Sequence, residues 1–210
     1  MIVCFGDSLT AGFQSPTPAN PRGEETPYGR FLQDRLGASV EIRVSGVCGE
    51  LTAEMVMRFR PDVIRHQPSH VVILGGTNDL GWNAAPADIM RNLVKMYESA
   101  LAARIVPVPV TVPSIRVEDA SGSPDAEAWL GQHLERRIEL NGLIRDYALS
   151  RQLAWIDLFA ATAEPHTRRL AAEYSNDGLH LTTAGYRLLA RLLFDRVFAG
   201  AFPDREAKHL

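Results

Sequence analysis

The chain has 210 residues, of which 46% are hydrophobic and 22% are charged, as is typical of one soluble globular domain with a well-buried core. Its net charge of -3 argues against nucleic-acid binding, which needs clustered lysines and arginines. Two cysteines are too few for a disulfide framework, and no apolar run is long enough to cross a membrane. No leader-like segment opens the sequence, so we expect a cytoplasmic protein. The short basic stretch at residues 58–60 is typical of a solvated helix face.

Short apolar runs alternate with longer amphipathic segments along the chain. Five runs are rich in valine and isoleucine and nearly continuous, which is typical of strands buried on both faces of a parallel sheet. They cover residues 2–5, 40–44, 71–74, 105–110 and 153–156. The alternation predicts one α/β domain over residues 1–210, with right-handed crossovers. Five such strands favour a flavodoxin-like order, 2-1-3-4-5.

Capping and breaking residues bound the predicted helices. Thr26 and Pro27 predict an N-cap and a first helical residue, and Gly37 predicts the end of that helix. Pro61 predicts a break in the next one. The predicted helices cover residues 28–36, 52–66, 87–103 and 124–150, and a last helix follows Thr182 and Thr183.

Two irregular segments, residues 14–25 and 113–122, each follow the carboxyl end of a predicted strand. In open α/β sheets, that edge holds the ligand. We therefore interpret both segments as walls of a substrate cleft, with tolerated surface loops as the alternative.

Ser8 follows the first predicted strand closely. A serine at such a position commonly caps a helix or shapes a turn, and by itself it indicates no more than that. Three further segments adjoin a predicted strand end or helix start, and together they carry glycines, an asparagine, an aspartate and a histidine. These segments cover residues 45–50, 75–79 and 177–180. A serine, a base, an orienting acid and spare N–H donors are the components of an acyl-transfer site.

The spacing of Asp177 and His180 suits such chemistry. With Gly178 between them, a tight turn would let the carboxylate accept from Nδ1 of the imidazole, which leaves Nε2 free to face Ser8. Loops that carry a glycine and an asparagine can aim N–H donors at an oxyanion from fixed positions.

These four segments resemble the motifs of the SGNH hydrolase superfamily, the GDSL esterases and lipases. The motifs read GDSLTAG at residues 6–12, SGVCGE at 45–50, GGTND at 75–79 and DGLH at 177–180, in the family's order. The resemblance spans nearly the whole chain. It implies a three-layer α/β/α fold and hydrolysis of esters, thioesters and sometimes amides, without a metal or an organic cofactor.

The resemblance also implies a role for each of five residues. Ser8 would be the nucleophile, and its backbone N–H would donate to the oxyanion. His180 would be the general base and then the general acid, while Asp177 would hold the imidazole in the right tautomer. The backbone N–H of Gly49 and the side chain of Asn78 would complete the oxyanion hole.

The sequence departs from the family pattern at two positions that touch no catalytic role. Val44 stands where the family often has asparagine, and Leu181 stands where a proline often follows the histidine. Gly46 is the alternative to Gly49 as the oxyanion donor. We prefer Gly49 because Glu50 follows it, where the family tends to carry an acidic residue.

We therefore expect a serine hydrolase that cleaves carboxylic esters through an acyl-enzyme intermediate. A carbohydrate O-acetylesterase, a lysophospholipase and a thioesterase are alternatives that share the mechanism, so the ester could be a small molecule, a lipid or a carbohydrate. A distant alternative is a non-catalytic flavodoxin-like binding module. Lys95 and Lys208 are the only lysines, and neither suits the receiver type of such a module. The remaining histidines lack metal-ligand spacing, and helix faces alone indicate no dimer surface.

Overall fold

The computed structural model describes residues 1–117 and 124–200. The strands, in chain order, are β1 Ile2–Gly6, β2 Phe13–Gln14, β3 Glu24–Glu25, β4 Ile42–Gly46, β5 His70–Leu74 and β6 Val106–Pro109. The helices are α1 Ser8–Ala11, α2 Tyr28–Leu36, α3 Thr52–Asp62, α4 Thr77–Gly81, α5 Pro86–Ala102, α6 Pro124–Ser150, α7 Leu158–Thr162 and α8 Thr183–Leu193. Short 3₁₀ turns at Ile64–His66 and Ala172–Tyr174 and a π-helical turn at Phe194–Phe198 complete the assignment.

The four longer strands form a parallel sheet in the order β4-β1-β5-β6. In the register, Cys4 of β1 lies opposite Val44 of β4 on one side and Val72 of β5 on the other. β1 is buried along its whole length, as its continuous apolar sequence predicts, whereas β4 lies at the edge and is partly exposed. β2 and β3 form a separate antiparallel pair.

The predicted fifth strand at residues 153–156 is wrong. This segment makes a single parallel bridge, between Ile156 and Val110, next to the edge of the sheet that β6 forms. The reason lies in β6 and the residue after it, because the N–H groups of Val106 and Val110 donate to carbonyls on the β5 side. The alternate residues facing the outer edge include Pro107 and Pro109, which have no N–H to donate, so a regular ladder cannot form there. The four strands present follow the predicted order, 2-1-3-4.

Helices flank the sheet in two groups, with α2 against α8 in one and with α5 against α3 and α6 in the other. The predicted bounds of α2 and α6 are confirmed, and α3 ends one residue after Pro61. The N-cap prediction for α2 is wrong. Pro27 occupies that position, and the Thr26 hydroxyl instead accepts a hydrogen bond from the Gln14 side chain at 2.8 Å. Among residues 1–117 and 124–200, no helix has the length and apolar character needed to cross a bilayer.

Candidate active site

Ser8 is the first residue of α1 and lies two residues past the end of β1. Asp7 caps this short helix, because its carboxylate accepts from the Leu9 backbone N–H at 2.9 Å. The helix ends at Gly12, whose φ of 83° is left-handed and whose missing side chain leaves room for the Pro27 backbone. The strand, the Asp7 cap and the close packing at Gly12 hold Ser8 at the carboxyl edge of the sheet, where 3% of the residue remains exposed.

The turn predicted between Asp177 and His180 is present. One carboxylate oxygen of Asp177 accepts from the backbone N–H groups of Leu179 and His180, at 2.8 and 2.7 Å. Gly178 has a φ of 82°, and a side chain there would meet the carbonyl oxygen of Arg116 at 2.0 Å. Glycine is therefore required at this position for both its conformation and its close packing.

The structure brings Asp177, His180 and Ser8 into one hydrogen-bonded chain. The second carboxylate oxygen of Asp177 lies 2.7 Å from Nδ1 of His180, and Nε2 of the same ring lies 3.2 Å from the Ser8 hydroxyl. A carboxylate can only accept, so Nδ1 carries the proton and Nε2 is free to accept from Ser8. The ring of Phe13 packs edge-on against the imidazole, with 4.7 Å between the ring centroids.

Ser15 is a fourth member of this chain that the sequence does not reveal. Its hydroxyl donates to the same Asp177 oxygen that faces the imidazole. Burial alone would raise the pKa of Asp177, but hydrogen bonds from His180, Ser15 and the backbone hold it well below its ordinary value. Asp177 is therefore ionised at neutral pH. Ser15 lies in segment 14–25, where no pattern separates it from other loop residues.

The two glycines considered for the oxyanion hole have different surroundings. Gly46 ends β4, and a side chain there would meet the backbone of Ala11 at 2.2 Å, so this glycine is a packing residue beneath α1. Gly49 has a left-handed φ of 77° and borders open space. Asn78 lies near it, because its amide nitrogen donates to the Glu50 carbonyl at 2.9 Å.

The prediction of a solvated helix face at residues 58–60 is wrong for Arg58. Its Nε donates to both carboxylate oxygens of Glu50 at 2.6 and 2.8 Å, and its Nη2 donates to the Gly6 carbonyl at 2.7 Å. The guanidinium also stacks 4.1 Å from the centroid of the Phe5 ring. Its ion pairs with Glu50 and Asp62 offset the cost of its partial burial. Arg58 thereby fastens the loop at Gly49 and Glu50 to the end of β1.

A cavity of about 500 Å³ opens beside the Asp177 side of this chain. Its walls include Asn78, Arg137 and two tryptophans, Trp82 and Trp129, which are 79% and 49% exposed. The remaining lining residues are Thr77, Gly81, Ile115, Arg116, Val117, His133, Asp177, Gly178 and Leu179.

The two segments predicted to wall a cleft contribute in different ways. Segment 113–122 supplies three consecutive lining residues, at 115–117, and its residues 118–122 lie outside the described residues. Segment 14–25 reaches the site through Ser15 instead. Across the described ranges, no group of three or more histidine, cysteine, aspartate or glutamate side chains is arranged to hold a metal ion.

The model of the GDSL-like Lipase/Acylhydrolase family matches residues 4–188. The chain therefore belongs to this family, a class of carboxylic ester hydrolases. The resemblance drawn from the four motifs and the predicted class of enzyme are both confirmed.

Solved structures support the same fold. A lipase/acylhydrolase from Enterococcus faecalis is 27% identical with a TM-score of 0.70, over 92% of this chain and 93% of that one. A carbohydrate acetylesterase from Sinorhizobium meliloti is 22% identical with a TM-score of 0.73, over 94% and 98%. The predicted α/β class, with helices on a parallel sheet, is thus confirmed.

One curated relative, called an uncharacterized lipoprotein YqeF, comes from Bacillus subtilis. It is 30% identical over 78 residues, which make up 37% of this chain, and the match spans 31% of that relative's length. The cytoplasmic location expected from the sequence stays a prediction.

Proposed function

We propose that this chain hydrolyses carboxylic esters through an acyl-enzyme intermediate formed on Ser8. The observation that carries the proposal is the continuous chain of hydrogen bonds from Asp177 through His180 to the Ser8 hydroxyl. A serine hydroxyl is a poor nucleophile unless a base removes its proton, and Nε2 of His180 lies within reach of that proton. The adjoining cavity offers room for a substrate.

In the first half-reaction, Nε2 of His180 takes the Ser8 proton while Oγ attacks the ester carbonyl carbon. Asp177, which is ionised, stabilises the imidazolium that forms. The imidazolium then gives its proton to the departing alkoxide, the carbon–oxygen bond breaks, and the acyl group remains on Ser8. In the second half-reaction, His180 deprotonates a water that attacks the acyl carbon, and the carboxylic acid leaves as Ser8 regains its proton.

Three N–H donors would stabilise the tetrahedral oxyanion. They are the backbone groups of Ser8 and Gly49 and the side chain of Asn78. The left-handed φ and open surroundings of Gly49 support its part. The Asn78 amide has two hydrogens, and donation of one to Glu50 leaves the other available.

A carbohydrate O-acetylesterase is the second candidate. Trp82 and Trp129 are exposed on the cavity wall, where their flat apolar faces could pack against the C–H face of a sugar ring. The structural likeness to a carbohydrate acetylesterase is consistent with this substrate class. A lysophospholipase or thioesterase would differ in its preference for acyl length.

The experiment measures hydrolysis of 4-nitrophenyl esters, from acetyl to octanoyl, by the wild type, Ser8→Ala and the control Ser69→Ala. Ser69 donates to the Met1 carbonyl and does not line the cavity. We expect kcat to fall by roughly 10³ or more in Ser8→Ala only. Equal rates in wild type and Ser8→Ala would refute the acyl-enzyme. A preference for the acetyl ester over the octanoyl ester would favour the carbohydrate O-acetylesterase. The reverse preference would favour a lysophospholipase or thioesterase.

A further inference from the structure

Arg137 on α6 is a buried cation in the wall of the cavity. It is 2% exposed, and its Nη1 donates to the Thr77 hydroxyl at 3.0 Å and to the Pro113 carbonyl at 2.9 Å. Both acceptors are neutral. The Nε of Arg137 has no hydrogen-bond partner among the described residues, and no carboxylate in the described part of the chain forms an ion pair with it.

Other arginines near the site are paired. Arg58 contacts Glu50, and Arg116, which also lines the cavity, contacts Glu164. An unpaired buried charge is costly, so proteins rarely keep one without a partner or a function. Among the arginines of the cavity wall, Arg137 is thus the one without a carboxylate partner among the described residues.

Its charge persists at neutral pH. Burial lowers the pKa of Arg137 to about 10, which still leaves the guanidinium protonated. The carboxyl of Asp7 acts on it through space, but burial raises the pKa of Asp7 to about 7, so that carboxyl is incompletely ionised at neutral pH. His133, one turn earlier on α6, adds little positive charge, because burial and the neighbouring arginines lower its pKa.

We infer that the cavity binds a carboxylate carried by the ester substrate, with Arg137 as its counter-cation. The inference rests on the proposed function and names its substrate class: half-esters of dicarboxylic acids, or esters of hydroxy acids. A carboxylate balances one guanidinium, whereas a phosphate monoester would leave negative charge unpaired. Arg137 lines the cavity, and the two tryptophans bound the apolar part of the ligand.

The decisive measurement compares matched substrates that differ only in charge. Monoethyl glutarate against its carboxamide places the carboxylate on the acyl side, and 3-acetoxypropanoate against 3-acetoxypropanamide places it on the alcohol side. In one of these arms the wild type should show kcat/KM about 10- to 100-fold higher for the carboxylate, as expected for a hydrogen bond between charged groups. No preference in either arm would overturn the inference.

Variants test whether the preference for the carboxylate substrate depends on Arg137. Arg137→Met should bring the ratio of carboxylate to carboxamide close to one, and Arg137→Lys should keep part of it. Arg136→Met is the control, because Arg136 is the next residue toward the start of α6 and its guanidinium binds Asn83 and Ala84 outside the cavity wall. A merely structural role would lower both rates and leave the ratio unchanged, which would contradict the inference.

Two safeguards separate the possible failures. If Arg137→Met does not fold, the carboxylate-to-carboxamide ratios of the wild type and of Arg137→Lys still test the inference. If neither these esters nor 4-nitrophenyl acetate is hydrolysed, the proposed function fails. Calorimetry of the wild type with glutaramate and with the neutral glutaramide then tests the cavity by itself, and equal affinities would overturn the carboxylate site.

Discussion

The two halves of the candidate site are held in place by different means. Ser8 follows a fully buried strand, and its helix is fixed by a cap and by backbone packing. Asp177 and His180 lie in an irregular, partly exposed segment between the turn at Ala172–Tyr174 and α8. The nucleophile is therefore positioned by the core, and the base by polar contacts near the surface.

The polar half depends on one residue. The carboxylate of Asp177 accepts from two backbone N–H groups, from two serine hydroxyls and from the imidazole. In the buried half, by contrast, Ser8 is held by several features together: the buried strand β1, the Asp7 cap and the backbone packing at Gly12. A single substitution should therefore disturb the polar half more than the buried half.

The largest expected effect comes from Asp177→Asn. The amide nitrogen cannot accept the proton of Nδ1, so the imidazole should adopt the other tautomer and present an N–H, rather than a base, to Ser8. We expect kcat to fall by up to about 10⁴. The measurement is steady-state hydrolysis of the ester that the wild type cleaves best.

Asp157→Asn is the matched control for this change. Asp157 also caps a helix, accepting from the Ala160 N–H at 3.0 Å, but it contacts no histidine among the described residues. Asparagine caps helices about as well as aspartate, so this variant should keep its rate. A rate for Asp177→Asn within tenfold of the control would mean that the base is not oriented by this carboxylate.

Asn78→Ala should have an intermediate effect and tests the proposed oxyanion hole beside Ser8. It removes one proposed oxyanion donor and the bond to the Glu50 carbonyl that holds the Gly49 loop. We expect a loss in kcat of roughly 10²- to 10³-fold. Asn92→Ala is the control, because Asn92 donates to the Thr52 hydroxyl at 3.2 Å and does not line the cavity. Equal losses in both variants would indicate a general effect on the fold and remove Asn78 from the oxyanion hole.

The parts of the molecule that could be predicted depend on local pattern. Continuous apolar runs predicted the four strands present, and caps and prolines predicted most ends of the five longer helices to within a few residues. The short helices α1, α4 and α7 were not predicted. The segments of Ser8, Asn78 and Asp177 were visible because they stand at strand ends or helix starts. The turn at Gly178 could be predicted because the residues it joins are three apart in sequence.

The parts that could not be predicted depend on contacts between distant segments. Ser15 reaches Asp177 across 162 residues, and Arg137 reaches Thr77 across 60. Nothing near either residue in sequence marks the contact. The missing fifth strand is different, since Pro107 and Pro109 were visible and their effect on the sheet edge could have been inferred.

Asp7→Asn should have the smallest effect and sharpens the contrast between the two carboxylates. Asp7 is fully buried, and one of its oxygens has no hydrogen-bond partner among the described residues. Burial raises its pKa from 3.8 to about 7, whereas the many donors around Asp177 lower that pKa. The folded state therefore holds the Asp7 proton more tightly than the unfolded state does. The stability that this gives is present in acid and is lost as the pH rises toward 7, which is opposite in sign to the contribution of Asp177.

Asparagine at position 7 can still cap α1 but cannot ionise. The free energy of unfolding of Asp7→Asn, relative to wild type, should therefore rise between about pH 5 and about pH 8. Urea unfolding of both proteins at these two pH values gives the comparison. A difference between Asp7→Asn and wild type that does not change with pH would show that Asp7 is ionised as easily in the folded state as in the unfolded one. The buried half of the site would then tolerate a full negative charge beside Ser8.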